Sequence, residues 1–123
     1  MKLSQKEEEL MNYLWQSEAT YMKDLIDAYP EPKPAVTTLA TLLKRLTNKG
    51  AIGFRTKGNS RAYYPLIGKS DYSTSYVKNM IATFFQGSSG RFASFFTKNI
   101  KLSKEELLEL RDMIDDQLKE SDK

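Results

Sequence analysis

Apolar residues recur at helical spacing near the start of the chain. The apolar positions of this first stretch are Leu10, Met11 and Leu14, with Trp15 beside them. Ser4 followed three residues later by Glu7 forms a capping box, in which each side chain satisfies a backbone N–H group that the first turn of a helix leaves free. We therefore predict a first helix that begins directly after Ser4.

A second, short helix is predicted from about Tyr21 to Tyr29, with the inward side chains Met22, Leu25 and Ile26. Prolines at positions 30, 32 and 34 end this helix and favour an extended connection. We expect Pro34 in the first turn of a third helix. Backbone N–H groups in that turn make no hydrogen bond within the helix, so the N–H group that proline lacks is not needed there.

The third helix has two contrasting faces. Its predicted buried face, with spacings of three, four and three, consists of Val36, Leu39, Leu43 and Leu46. At about 100° per residue the opposite side carries a polar face, consisting of Thr37, Thr41, Lys44 and Asn48, flanked by Thr38 and Arg45. Gly50 after Lys49 indicates the end of the helix. Three short helices of which the last has a polar and basic outer face are typical of a helix-turn-helix.

A β-hairpin is predicted next, with strands at Ala51–Thr56 and Arg61–Leu66. The residues between the strands are Lys57-Gly58-Asn59-Ser60, and Gly-Asn at the centre is a signal for a two-residue hairpin turn. Arg55, Lys57 and Arg61 lie near the tip. The expected fold is therefore mainly α with a small β-hairpin, which is a winged helix-turn-helix.

The remainder of the chain is predicted to be helical, with large apolar side chains in three segments. The first segment has a large side chain at every fourth position, namely Tyr72, Tyr76, Met80 and Phe84. This helix is interrupted by Gly87-Ser88-Ser89-Gly90, and the second segment contains Phe92, Phe95 and Phe96. Ser103 with Glu106 is a second capping box, and the last helix carries the stripe Leu107, Leu110, Ile114 and Leu118.

Three helices of this size are too small to bury so many large side chains by themselves. We therefore predict a winged-helix domain at residues 1–69 and a helical dimerisation region at residues 70–123. Packing of the tail onto the winged domain is the alternative. The residues expected at the dimer interface are Tyr72, Tyr76, Met80, Phe84, Phe92, Phe95, Phe96, Leu107, Leu110 and Ile114.

Composition and charge narrow the function. The chain has no His and no Cys, which excludes a Ser-His-Asp triad, a cysteine nucleophile and the usual zinc sites. Residues 31–70 hold eight basic residues against Glu31 alone, whereas residues 104–123 hold four basic and eight acidic residues. This asymmetry is typical either of a polyanionic partner for the middle of the chain or of a solvated surface with an uneven charge distribution. We expect a cytoplasmic protein with no membrane insertion, no cofactor and no enzymatic activity.

The combination of these segments resembles the penicillinase repressor family. The matching residues are Leu3-Ser4 and Glu7 with Met11, Leu14 and Trp15; the run from Thr37 to Leu46 followed by Lys49-Gly50; and the hairpin end Tyr63-Tyr64-Pro65-Leu66. The resemblance implies a homodimeric repressor that occupies a dyad-symmetric operator in double-stranded DNA. It also implies that the third helix enters the major groove, with Thr37, Thr38 and Thr41 at base edges and Lys44 and Arg45 nearer the phosphates. The wing adds Arg55, Lys57 and Arg61.

The chain departs from the family pattern at three places. Glu8 stands where many members have Trp. Members that respond to β-lactams are cut by a membrane sensor protease at an Asn-Phe bond, and the nearest equivalents here, Ser94-Phe95 and Phe95-Phe96, contain no Asn. Because these bonds occupy the equivalent position, Phe95 and Phe96 are the candidate site of a proteolytic switch. Copper-responsive members need cysteines, which this chain lacks.

Two other functions remain open from the sequence. A winged helix can serve as a protein–protein interaction module, because the fold is used for both purposes. It can also form a ligand-gated regulator, in which Tyr72, Tyr76 and Phe84 would line a cavity.

Overall fold

The computed structural model describes residues 1–18 and 20–122, and it confirms a mainly helical chain with a β-hairpin wing. The elements in chain order are α1 (Gln5–Leu14), β1 (Thr20–Tyr21), α2 (Met22–Ala28), α3 (Val36–Asn48), β2 (Ile52–Lys57), β3 (Ser60–Pro65), α4 (Lys69–Phe84), α5 (Ser89–Asn99) and α6 (Lys104–Ser121). Contacts divide the chain into two units, Met1–Tyr76 and Val77–Lys123, so that the division falls within α4.

The first unit has its core where α1 and α3 meet. As predicted, Leu10, Met11 and Leu14 are fully buried on one face of α1. The capping box is present, because the Glu7 N–H donates to Ser4 Oγ at 3.2 Å and the Ser4 N–H donates to Glu7 Oε1 at 2.7 Å. Local sequence signals therefore determine where α1 begins and which face it buries.

The buried face of α3 differs from the prediction at one position. It consists of Leu39, Leu42, Leu43 and Leu46. The placement of Val36 on this face was wrong, because its side chain is 58% exposed. Val36 is the first residue of α3 and borders an open cleft between α2 and the wing, where no element covers it. Pro34 lies before the N-cap residue Ala35, and so it is not in the first turn as predicted.

The end of α3 is fixed by Gly50, as predicted. Gly50 has a φ of +81°, a left-handed conformation that residues with a Cβ adopt at a cost. Its N–H donates to the carbonyl of Thr47 at 3.1 Å, and the N–H of Ala51 donates to that of Leu46 at 3.0 Å. These two bonds form a Schellman motif, which reverses the chain directly into β2.

The wing is part of a three-stranded antiparallel sheet with the order β1-β3-β2. In the hairpin Lys57 pairs with Ser60 and Phe54 pairs with Tyr63, which leaves Gly58 and Asn59 as the two-residue loop. Gly58 has a φ of +61° and Asn59 has no positive φ, the pattern of a type II′ turn. Strand β1 was not predicted, and it pairs Thr20 with Tyr63.

An ion pair ties the start of α1 to the end of α3. Lys49 Nζ lies 2.7 Å from Glu7 Oε1, and it also donates to the Lys2 carbonyl at 3.1 Å. The Glu7 side chain is only 2% exposed. Burial alone would raise the pKa of the Glu7 carboxyl, but the hydrogen bonds from Lys49 and Ser4 outweigh burial and lower it. Glu7 is therefore charged at neutral pH although it is buried.

The second unit has no buried residue in its described helices. Its aromatic side chains contact one another, with the Phe85 ring 5.6 Å from Phe92 and 5.3 Å from Phe95 between centroids. Phe84, Ile114 and Leu118 are 60% or more exposed. The second capping box is present at Ser103 and Glu106, as predicted. Among the described residues, no helix combines the length and hydropathy needed to cross a lipid bilayer.

Candidate nucleic-acid interface

The polar face of α3 points to solvent along its whole length. The three threonines at positions 37, 38 and 41 are exposed, as are Lys44 and Arg45. The four buried leucines hold the opposite side of the helix against the core, so that this face is presented on a fixed support. Its position is consistent with the predicted role in DNA binding.

The hydroxyl groups on α3 are oriented by the helix itself. Thr41 Oγ1 donates its proton to the Thr37 carbonyl at 3.0 Å, and Thr47 makes the same type of bond to Leu43 at 2.7 Å. Because the Thr41 hydrogen is used within the helix, its oxygen presents only lone pairs to the outside. Thr41 is therefore suited to accept a hydrogen bond from an exocyclic amino group of adenine or cytosine.

The two wing arginines lie on opposite faces of the hairpin. The Arg61 guanidinium lies over the Phe54 ring, 4.2 Å from its centroid, and the Arg55 guanidinium lies 5.4 Å from the centroid of Tyr64. Cation–π contacts of this kind hold a long side chain against a flat surface. Alternation along the strands places Lys57 on the same face as Arg55.

The wing face of Arg61 is the one turned toward α3. A cleft of about 460 Å³ separates the two elements, and its lining includes Ala40, Lys44 and Thr47 from α3 together with Phe54, Arg61 and Tyr63 from the wing. The structure thus brings Lys44 and Arg61 to one cleft. Arg45 and Thr38 lie on the other flank of α3, and Arg55 and Lys57 on the other face of the wing.

The electrostatics of this surface are one-sided. From α3 to the end of β3 the sequence contains no acidic residue. Within the described chain the ion pairs are Lys49 with Glu7 and Arg111 with Asp112. The basic side chains at positions 44, 45, 55, 57 and 61 are therefore not neutralised by carboxylates of the described residues, and they are available to phosphates.

Gly53 makes room for the ring that supports Arg55. A Cβ at this position would lie 2.8 Å from Tyr64 Oη and 2.9 Å from its Cζ, closer than such atoms approach one another. The Tyr64 ring thus lies directly across the Gly53 backbone on the face that carries Arg55.

The residues predicted at a dimer interface fall into two groups. Tyr72 is half-buried within the first unit: its ring centroid lies 6.0 Å from that of Trp15, and its hydroxyl donates to Glu8 Oε2. Burial and the Glu8 carboxylate raise the pKa of Tyr72 to about 12. The ring of Tyr72 therefore packs within the winged unit. The sequence had also allowed this residue to line a ligand cavity.

The other predicted interface residues leave apolar surface open to solvent. Those more than 40% exposed are Tyr76, Phe84, Phe95, Leu107 and Ile114, while Met80, Phe92, Phe96 and Leu110 are partly covered. Sequence reasoning missed Phe85, which contacts two of the other phenylalanines. It also missed that Glu8 accepts a hydrogen bond from Tyr72, because this bond joins α1 to α4, which are far apart in sequence. No described group of His, Cys, Asp or Glu side chains could hold a metal ion.

Comparisons with known proteins agree on one family. The sequence profile described as "Penicillinase repressor" matches residues 3–116. The chain is 28% identical to the methicillin resistance regulatory protein MecI of Staphylococcus aureus over 114 residues, which is 92% of this chain and 93% of that protein. It is 27% identical to the penicillinase repressor of Bacillus licheniformis over 116 residues, with coverages of 94% and 91%.

The chain is also similar to a solved structure. The solution structure of the DNA-binding domain of the repressor BlaI superimposes with a TM-score of 0.52 at 29% sequence identity. It covers 58% of this chain and 88% of that domain.

Proposed function

The chain belongs to the penicillinase repressor family, and from this premise we propose that it represses β-lactam resistance genes as a homodimer on a dyad-symmetric operator. The family and the winged-helix fold make it a DNA-binding transcriptional repressor. The regulated genes are proposed because its relatives are named for methicillin resistance and penicillinase.

One observation carries the assignment of the DNA surface. The polar face of α3 and the Arg61 face of the wing border one cleft, and no acidic residue lies anywhere from α3 to β3. Thr37, Thr38 and Thr41 are proposed at base edges. Lys44, Arg45, Arg55, Lys57 and Arg61 are proposed at phosphates, where basic side chains position a protein without reading sequence. In the dimer the two α3 helices would lie about 34–36 Å apart, one DNA turn.

The homodimer is proposed through the helices of the second unit. Their described residues include no buried side chain, and the exposed apolar positions recur on α6 at 107, 114 and 118. Covering such a surface with a second copy would remove it from water, as in other oligomers.

Replacing Thr41 by Ala in the full chain is expected to weaken specific binding by about 1–3 kcal/mol and to leave nonspecific binding nearly unchanged. The reason is the loss of a single acceptor at a base edge. The measurement is fluorescence anisotropy with a promoter duplex from upstream of the protein's own gene and with a scrambled duplex, each at two salt concentrations.

The matched control is Thr47→Ala, which removes the same type of bond to a carbonyl one turn back but at a half-buried position near the end of α3. Its specificity is expected to match that of the parent. Equal specificity of the Thr41 variant and the parent would contradict the assignment of this face to base edges.

Induction is proposed to act on the segment from Gly87 to Ile100, through a membrane sensor protease or through loosening of the helix. The bonds Ser94-Phe95 and Phe95-Phe96 lie inside α5, and the Phe95 ring contacts Phe85. Because a protease needs extended backbone, cutting there requires α5 to open locally. Separation of the halves would then reduce operator occupancy.

Mass spectrometry of the protein from cells induced with a β-lactam, with the neighbouring genes present, is expected to show two fragments that divide near residue 95. An intact chain of 14.1 kDa throughout full induction would exclude proteolysis and indicate a ligand or a partner instead.

A further inference from the structure

Val36 exposes an apolar side chain at the beginning of the proposed recognition helix. It is 58% exposed, and it is the first residue of α3. Ala40, one turn later, is exposed as well. At about 100° per residue the two positions lie on the same flank of α3, between the buried leucines and the polar face. This flank is the one turned toward the wing, since Val36 and Ala40 each line a cleft that Arg61 also lines.

We infer that Val36 contacts the 5-methyl group of a thymine in each half-site and so contributes to sequence specificity. The inference rests on the proposed function, in which α3 enters the major groove. In helix-turn-helix proteins the N-terminal residues of the recognition helix contact base edges. In the major groove, thymine is the base that presents a methyl group, and apolar side chains recognise it by excluding water.

Charge around Val36 favours a base edge over a phosphate as its neighbour. The cleft of about 930 Å³ that Val36 borders is also lined by Asp24 and Asp27 of α2. Two carboxylates there disfavour the approach of a phosphate to this end of the helix, whereas an uncharged methyl group meets no such penalty. Phosphates are better accommodated near Lys44, because the cleft of about 460 Å³ that Lys44 lines contains no acidic residue.

Val36 and Thr41 would contact different chemical groups of the bases. Thr41 presents oxygen lone pairs and reads an amino group, whereas Val36, more than one turn earlier, presents only methyl groups. Together the two side chains would select different features of successive base pairs. Neither contact requires the protein to change conformation, because both side chains are already exposed.

The test uses the full-length protein and duplexes that it enriches from a random-sequence pool. Each thymine of the best duplex is replaced in turn by deoxyuridine, which lacks the 5-methyl group and keeps every hydrogen-bonding group. At one thymine per half-site this change is expected to weaken binding by the parent about fourfold, the factor for losing one buried methyl-sized group. The Val36→Ala variant loses the contact in both half-sites, so it is expected to bind the thymine duplex about 16-fold more weakly than the parent, and to show no thymine–deoxyuridine difference at that position.

The matched control is Leu66→Ala, which removes an apolar side chain of the same 58% exposure from the end of the wing. Its thymine–deoxyuridine profile is expected to equal that of the parent. Circular dichroism checks that both variants are folded, and an exposed helix position tolerates alanine well.

Three results are distinguishable. Loss of the difference at one thymine in the Val36 variant alone would support the inference. A profile that Val36→Ala leaves unchanged, with enrichment and affinity otherwise intact, would overturn it while the proposed function stands. If no duplex is enriched by the folded parent, the proposed function fails and this inference fails with it.

Discussion

Replacing Ile114 by Glu in the full chain is expected to convert the dimer into monomers and to lower affinity for a two-half-site operator by about 10²- to 10⁴-fold. Ile114 is 60% exposed on α6, in the middle of an apolar stripe that also includes Leu118. A buried carboxylate at the centre of a dimer interface has no partner to compensate its desolvation. Without the dimer, the second half-site must bind an independent molecule, and the effective concentration of the tethered domain is lost.

The measurements for this variant are light scattering and operator binding at the same protein concentrations. Affinity for a duplex with a single half-site is expected to stay that of the parent, because α3 and the wing are untouched. Lys119→Glu is the control, since it adds the same carboxylate on the side of α6 away from the apolar stripe. An Ile114 variant that remains dimeric and represses normally would show that the interface lies elsewhere.

Replacing Lys49 by Met is expected to lower the free energy of unfolding by about 2–3 kcal/mol at neutral pH. The variant leaves the Glu7 carboxylate, 2% exposed, with only the hydrogen bond that the Ser4 N–H donates to it. Its second oxygen, Oε2, already has no hydrogen-bond partner among the described residues. The expected loss is at the low end for a buried ion pair because water reaches the Lys49 side chain, which is 40% exposed.

The stability difference between the parent and the Lys49 variant depends on pH. In the parent the pKa of Glu7 is lowered, so its contribution to stability is present above the usual carboxyl pKa and disappears as the pH falls through the lowered value. In the variant burial is opposed only by the hydrogen bonding from Ser4, so the pKa of Glu7 is higher than in the parent and the carboxyl takes up a proton at a higher pH. The difference between the two proteins is therefore largest near pH 7 and shrinks below about pH 4.5.

Urea unfolding at several pH values measures this difference. Lys44→Met is the matched control, since it removes a lysine from the exposed face of the same helix and is expected to change stability by less than about 0.5 kcal/mol. The double variant Glu7→Gln with Lys49→Met is expected to regain part of the loss, because no charge is then buried. A Lys49 variant as stable as the parent at neutral pH would refute a structural role for the pair.

Elements with local signals were predicted from the sequence alone. The capping boxes at Ser4 and Ser103, the glycine at position 50 and the Gly-Asn turn each act within a few residues. For this reason α1, the start of α6, the end of α3 and the hairpin were confirmed. The family resemblance followed from the arrangement of the same segments, and the comparisons confirm it.

Features that depend on distant residues were not predicted. Strand β1 consists of two residues, and it exists because Thr20 reaches Tyr63, more than forty positions away. The partners of Glu7 and Glu8 are also remote in sequence, at Lys49 and Tyr72. The incorrect prediction for Val36 came from a local pattern. Val36 continues the helical spacing of the buried leucines, but it lies at the start of α3, where no other element covers the helix. The roles of the DNA-contacting residues and the dimer interface remain predictions.

The contact between Gly53 and Tyr64 has a consequence for how this protein can evolve. Any side chain at position 53 would displace the Tyr64 ring, and the Arg55 guanidinium rests on that ring. A substitution at position 53 would thereby shift a positive charge on the wing. Positions 53 and 64 are therefore coupled: a substitution at position 53 favours a compensating change at position 64 wherever the placement of the Arg55 charge matters.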